Sequence, residues 1–267
     1  MKIIDTFLFF NELTLLDLRL NILNDYVDEF VLVEATKSHQ DKPKPLFYNE
    51  NKHLFEKFNH KIKHIIIDDF PNYSYWSHDA YQRDCISRGV ADSYQPEDII
   101  FISDLDEIWN PKTLLPVIKG GLSDNNIYKW QSLICYFYFN LVASTDYWIQ
   151  PLFMKYSLFN KLHKEGYTIT SDIMRNTNNR LPVQNLVLQG LNGWHFSYTE
   201  DPIYKLKNFT HSEYSNLTME QLQADINNKV NPFHKNPMHK ITEKNLPNYL
   251  PEYVSQNFEK YSKYILK

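Results

Sequence analysis

The sequence predicts an α/β fold: a mostly parallel central sheet flanked by helices, with a helical C-terminal extension. Three observations carry that expectation. Apolar runs without alternation, such as residues 99–102, have the pattern of strands buried on both faces. Helical periodicities fall between such runs, giving β-α-β-loop-α-β-α-β over the first hundred residues, the order of a parallel sheet covered by helices. The fourth run passes straight into acid, in E-D-I-I-F-I-S-D-L-D-E-I-W-N-P at residues 97–111, and open α/β sheets hold ligands at that carboxyl edge.

Residues 2–10, rich in Ile and Phe, read as the first buried strand. Asn11 is placed to cap a helix in which Leu13, Leu16, Leu20 and Leu23 share a face, with Glu12, Asp17 and Arg19 facing away. Residues 30–35 form a second strand; Glu34 near its end is either a solvated edge charge or a ligand contact. Prolines make residues 37–48 a loop, whose Lys42 and Lys44 are either solvated or set to meet phosphate. A helix over about 51–58 leads to a third strand, 62–67, and a further helix spans about 77–91. In that helix Asp79 and Arg83 are spaced i, i+4, which gives either a surface ion pair or an Arg83 that reaches a diphosphate. After the acidic stretch, Pro111 favours the first turn of a helix running to Gly120 and Gly121.

Residues 126–140 and 146–158 are aromatic and Ile-rich and read as strands able to pair antiparallel, shaping an acceptor side. A polar loop over 170–180 and a short strand over 183–188 precede a compact segment, 190–198. There His195, between Trp194 and Phe196, is either a buried, satisfied histidine or a metal ligand. Lys205, Lys207, His211 and Glu213 fall on a helix and its exit, and the rest is polar and helical with breaks at Pro232, Pro237, Pro247 and Pro251. The expected organisation is a single domain with a nucleotide-binding half (1–110), an acceptor-side half (111–215) and the extension (216–267).

With 43% hydrophobic residues and a net charge of -4, the chain is neither disordered nor basic enough to suggest a nucleic-acid partner. Only 6 glycines leave no G-x-G-x-x-G and no Walker loop, so a nucleotide has to be held by other means. Cys85 and Cys135 lack metal spacing and read as buried free thiols. Asp104, Asp106 and Glu107 crowd carboxylates that repel one another beside a core, so positive charge is expected between them, most simply a divalent cation. The alternative is a helix N-cap with a solvated acidic first turn.

In order along the chain, D-T-F-L-F-F-N-E-L from Asp5, D-E-F-V-L-V-E-A from Asp28, K-P-K-P-L from Lys42, Q-R-D-C-I from Gln82, I-S-D-L-D-E-I from Ile102, G-W-H-F-S-Y from Gly193 and H-S-E from His211 resemble glycosyltransferase family 17. The resemblance implies a GT-A type nucleotide-sugar-binding fold, a UDP-sugar donor (UDP-N-acetylglucosamine), a glycan acceptor, Mn²⁺ or Mg²⁺, and inversion at the anomeric carbon. It implies Asp106 as a direct metal ligand, Asp104 at the metal or the ribose, and His195, or alternatively His211, as a further ligand. Arg83, Lys205 and Lys44 are the implied phosphate contacts, with Asn11 and Glu34 near the nucleoside. Inversion needs a base for the acceptor hydroxyl, and Glu213, inside a matched motif, is preferred to Asp172 and Glu200. Unlike the animal members the sequence shows no N-terminal membrane anchor, so a soluble, cytoplasmic enzyme is expected. The same acids would also serve a metal-dependent nucleotide-sugar hydrolase, or persist in a carbohydrate-binding protein of the same fold.

Overall fold

The computed structural model describes residues 1–71, 78–90, 92–175, 180–209 and 212–267. Its elements are β1 (Ile3–Phe9), α1 (Leu13–Leu23), β2 (Glu29–Ala35), α2 (Phe47–Glu50), β3 (Ile62–Ile67), α3 (His78–Asp84), β4 (Ile99–Asp104), β5 (Glu107–Trp109), α4 (Pro111–Lys119), β6 (Asn126–Trp130), β7 (Ser132–Tyr136), β8 (Leu141–Trp148), β9 (Leu152–Lys155), α5 (Tyr156–Lys164), β10 (Gln184–Leu188), β11 (Gly193–Ser197), α6 (Pro202–Leu206), α7 (Met219–Asn227) and β12 (Met238–Lys240). Short helical turns follow β12 to the C-terminus.

The strands form two mixed sheets. The larger has 7 strands in the order β10-β6-β9-β4-β1-β2-β3, parallel except that β9 runs against both its neighbours. The smaller has 5 strands in the order β12-β8-β7-β11-β5. Its β7 and β8 pair antiparallel, and in the larger sheet β6 and β9 do so too, the pairing expected between residues 126–140 and 146–158. Because β1 and β4 are wholly buried or nearly so, neither strand alternates in hydrophobicity, and their register sets Leu8 opposite Asp104. Two residues after β4 ends, β5 begins and pairs with β11, setting His195 against Glu107. The acidic loop is therefore the seam between the sheets.

Beneath that seam Phe101 of β4 is stacked between Trp109 (4.3 Å) and Phe153 (4.9 Å), rings that lie at the heart of the largest apolar cluster. Such ring pairs contribute roughly 0.5–1.5 kcal/mol each beyond their buried area. The cluster runs from Ile3 to Ile265 and takes in Leu246, Leu250, Val254 and Tyr261 of the C-terminal part. Among the described residues no helix is long and apolar enough to cross a membrane. Cys85 and Cys135 are buried and unbridged.

The structure corrects several local expectations. Residue 12, not Asn11, occupies the N-cap of α1, and both Glu12 and Arg19 are buried rather than turned to solvent. Residues 156–158, expected in a strand, begin α5, whose Tyr156, Phe159 and Leu162 share one buried face at helical spacing. The helix expected over 77–91 breaks into α3 and a 3-10 turn at Cys85–Arg88, and the expected 51–58 helix is a 3-10 turn, Lys52–Phe58, preceded by α2. The supposed polar loop contains a buried π-helical turn, Ile169–Met174. The C-terminal extension contributes β12 to the second sheet.

Candidate active site

A buried ion pair holds the acidic loop from beneath. Arg19 donates to both carboxylate oxygens of Asp5 (2.8 and 2.7 Å), and neither side chain is exposed. Its Nη1 then reaches the carbonyls of Asp104 (2.9 Å), Leu105 (3.1 Å) and Glu107 (2.9 Å), and Nη2 reaches Ser103 Oγ (2.7 Å). A turn leaving a sheet has carbonyls without strand partners; here one guanidinium satisfies three of them.

Above the loop lies a cleft of about 350 Å³ whose lining includes Asp104, Asp106, Glu107, Arg83, His195 and Lys205. Each aspartate has its own buried cation. Arg83, on α3, donates Nη2 to both Asp104 oxygens (2.8 and 3.0 Å) and is 3.0 Å from Asp79. Asp104 keeps 37% of its side chain exposed against 6% for Arg83, so the carboxylate faces the cleft and the guanidinium backs it. Arg83 Nη1 is buried and has no hydrogen-bond partner among the described residues, leaving one strong donor for a ligand. Lys205, on α6, lies 2.8 Å from Asp106 Oδ2 and 3.0 Å from Glu12 Oε1.

Glu107 serves the loop rather than the lumen. Its Oε2 accepts the Asp104 amide (2.7 Å) and its Oε1 accepts the Trp148 indole N–H. His195 sits beside Trp148 with its Nε2 3.7 Å from Asp106 Oδ2, while its buried Nδ1 lacks a hydrogen-bond partner among the described residues. β11 reaches this position through Gly193: a Cβ there would lie 2.6 Å from Trp130 Nε1 and 2.7 Å from the Ile108 carbonyl. Only a residue without a side chain lets β11 close on β5.

Charge in the cleft is set by burial and by pairing. Burial works against the ionised Asp106, but Lys205 and His195 hold its carboxyl well below the usual carboxylate range. Lys205 is likewise held above the ordinary lysine value, Asp106 and Glu12 outweighing its burial. Burial, reinforced by Asp104, pushes Glu107 up to about 7. Against its burial, Asp106 raises His195. His39, a cleft residue 3.9 Å from Asp79, is lowered by burial, against the pull of Asp79.

Two observations bear on whether a divalent cation fits. The 3.7 Å between His195 Nε2 and Asp106 Oδ2 is wider than the roughly 3 Å between neighbouring ligands of an octahedral ion with bonds of about 2.1 Å, so the two side chains would have to close in to share one. Burial is the main cause of the upward shift of Glu107, and Asp104 and Asp106 add to it; a cation would relieve only that second part. Lys205, moreover, already occupies Asp106 Oδ2, and among the described residues no group of three His, Cys, Asp or Glu is arranged to hold a metal. Asp106 and His195 are the side chains that would hold an ion here, with the remaining positions left to substrate oxygens and water.

The sequence-predicted residues do not all converge. Asp104, Asp106, Arg83, His195 and Lys205 line one cleft. Glu34 instead accepts the amides of Tyr48 and Asn49 (2.8 and 3.3 Å) at the start of α2 and pairs with His64, outside the cleft lining. Lys44 is buried under Phe10, donating to the Phe10 and Pro45 carbonyls, and burial lowers it to about 8. Asn11 is half-buried beside the lining residue Glu12, with its Oδ1 unpartnered among the described residues. Glu200 caps α1 through the Thr14 and Leu15 amides (3.3 and 2.7 Å), and Asp172 accepts from Thr168 in its π-helical turn; neither lines the cleft. Glu213 is exposed, next to the lining residue Tyr214. His211 lies outside the described residues. Sequence reasoning missed Glu12, His39, Trp148, Tyr198 and Phe233, all in the lining. For Glu12 the only signal was an acid at the exit of a buried strand.

The family model for glycosyltransferase family 17 matches residues 1–148. The human β-1,4-mannosyl-glycoprotein 4-β-N-acetylglucosaminyltransferase is 34% identical over 106 residues, 37% of this chain and 20% of the relative. The rat protein of that name matches equally, so the match spans about a fifth of these relatives' length. Among solved structures, mannosyltransferase PcManGT from Pyrobaculum calidifontis, in complex with GDP-Man and Mn²⁺, is 10% identical with a TM-score of 0.47, covering 72% of this chain and 56% of that one. The galactosyltransferase LgtC, in complex with donor and acceptor sugar analogues, is 13% identical with a TM-score of 0.39, covering 100% and 97%.

Proposed function

Because the chain belongs to glycosyltransferase family 17, we propose that it is an inverting GT-A type transferase moving a sugar, N-acetylglucosamine from a UDP donor, to a glycan hydroxyl. The observation that supports this most is the acidic loop itself: Asp104 and Asp106 at the carboxyl edge of β4, each with a dedicated cation, at the mouth of a cleft. The similarity to the human N-acetylglucosaminyltransferase supports the choice of N-acetylglucosamine.

In this reading Asp104 meets the donor's ribose, while the unpartnered Nη1 of Arg83 donates to the diphosphate. Asp106 and His195 would hold a Mn²⁺ or Mg²⁺, which when bound supplies Lewis-acid neutralisation of the departing diphosphate. Lys205, fixed between Asp106 and Glu12, adds a permanent positive charge beside that leaving group. The acceptor hydroxyl attacks from the far side of the anomeric carbon and gives up its proton to a carboxylate. Glu213 is the residue proposed for that role, since Asp172, bonded to Thr168, and Glu200, bonded to the Thr14 and Leu15 amides, both lie outside the cleft lining.

The test is the stereochemistry of the product. Incubation with UDP-N-acetylglucosamine and a glycan acceptor, followed by proton NMR of the new linkage, is expected to give the β anomer from the α-linked donor. An α-linked product would overturn inversion, and free sugar as the sole product would replace transfer by hydrolysis.

A further inference from the structure

Beyond Lys205 the cleft changes character. The Lys205 ammonium lies 5.5 Å from the centre of the Tyr198 ring. Tyr198 lies 4.6 Å from Phe233, and Phe233 lies 5.0 Å from Tyr214 and 6.2 Å from Tyr136. All four rings line the cleft and all are half-buried, each with one side packed on the apolar cluster of Leu206, Leu222, Ile226 and Met238. They come from four separate stretches: the end of β7, the exit of β11, the turn Ser212–Tyr214 and the loop before β12.

The backbone is bent to present them. Tyr198 has φ 55° and the adjoining Phe137 has φ 64°, the left-handed region that bulky side chains rarely adopt, and Phe137 N–H donates to the Ser197 carbonyl (3.0 Å) to lock the pair. Phe233 is fixed by buried Asn231, whose Oδ1 accepts the Phe233 and His234 amides (2.8 and 3.3 Å), and by Tyr214, whose hydroxyl donates to the Phe233 carbonyl (3.2 Å). Core packing alone does not call for this, because the rings stay partly open to the cleft.

We infer that Tyr136, Tyr198, Tyr214 and Phe233 form the acceptor subsite, a wall on which a hexose ring of the acceptor glycan stacks through its C–H face while its hydroxyls point toward Lys205 and Asp106. The inference rests on the transferase reading above. Aromatic faces suit the apolar faces of sugars, and phenol hydroxyls at their rims supply polar partners. Three of the four rings lie beyond residue 148, where the family model's match ends, and Tyr198 closes the G-W-H-F-S-Y motif. The wall gives residues 216–267 a role in the chemistry: their loop carries Phe233 into the site.

The experiment is saturation-transfer NMR and titration of methyl glycosides of mannose, galactose and N-acetylglucosamine into the full chain. Wild type, Phe233→Ala and Phe233→Tyr are compared, with UDP-N-acetylglucosamine affinity and Tm measured in parallel. At least one glycoside is expected to bind wild type and Phe233→Tyr, and to bind Phe233→Ala about tenfold more weakly, with donor affinity unchanged. If alanine unfolds the loop, Phe233→Leu keeps its apolar volume, removes the π face, and is expected to show the same loss. Equal glycoside affinity in a folded Phe233→Ala or Phe233→Leu, or no glycoside binding by wild type, would overturn the wall. Glycoside binding by a wild type that takes no nucleotide sugar would support the wall and overturn the transferase reading.

Discussion

Arg19 and Asp5, neither of them exposed, lie side by side under the acidic loop, and Arg19 spends its remaining donors on the carbonyls of residues 104, 105 and 107. The pair ties the first strand to the loop that carries the cleft's acids. Removing one partner leaves a charge buried without compensation, which costs roughly 3–5 kcal/mol. Asp5→Asn and Arg19→Gln are each expected to lower the unfolding free energy measured in urea by that amount, and the double variant to fall short of the sum. A loss under about 1 kcal/mol in either single variant would show the pair to be dispensable.

Gly193→Ala is expected to damage the site through the backbone. The new Cβ would sit within 2.7 Å of both Trp130 Nε1 and the Ile108 carbonyl, so β11 has to retreat from β5 and carry His195 with it. A stability loss of about 1–3 kcal/mol, with weakened nucleotide-sugar binding, is the expected pair of results. Unchanged values for both would mean that the strands tolerate the gap.

Glu200 supplies a pH signature. Burial raises it from 4.5 to about 7, while the Thr14 and Leu15 amides pull the other way. A carboxyl raised in the folded state contributes stability that is fully present below about 4.5 and is lost as pH rises through 7. At 1.36 kcal/mol per unit the loss is at most about 3 kcal/mol. Urea unfolding at pH 5 and pH 8 is expected to show wild type weakening with pH more than Glu200→Gln; parallel profiles would contradict the raised value.

The frame of this fold was legible because its central strands are buried on both faces: β4 falls at Ile99–Asp104 as its apolar run indicates, and Pro111 opens α4 with Asn110 as its cap. The acidic loop was legible because charge beside a core has to be answered. What answers it was only partly so. Arg83 and Lys205 stood out near matched motifs, whereas Arg19 looked like a helix-surface cation, since the partner that draws it inward is 14 residues away on another element. Glu34 and Glu200 drew notice as acids near ligand-bearing edges, yet each caps a helix N-terminus, a use that depends on which helix the fold brings alongside. The aromatic wall was invisible for the same reason: Tyr136 and Phe233 are 97 residues apart and meet only through the second sheet. Composition showed many tyrosines but not which ones gather.

Glu213→Gln keeps the shape of the side chain and removes its basicity. Transfer to a glycan is expected to fall by at least about a hundredfold while nucleotide-sugar affinity stays the same. Transfer at wild-type rate would move the base to a different carboxylate.

The most direct test of the nucleotide-sugar site is calorimetric binding of UDP-N-acetylglucosamine and other nucleotide sugars to wild type and Asp106→Asn, with Mn²⁺, with Mg²⁺ and with chelator. The asparagine keeps the size of Asp106 while Glu12 still balances Lys205, so the fold is expected to survive, which an unchanged Tm checks. Metal-dependent binding of one UDP-sugar, weakened by at least about tenfold in Asp106→Asn, is the expected result. Absence of nucleotide-sugar binding under every condition, or equal affinity in the two proteins, would contradict it.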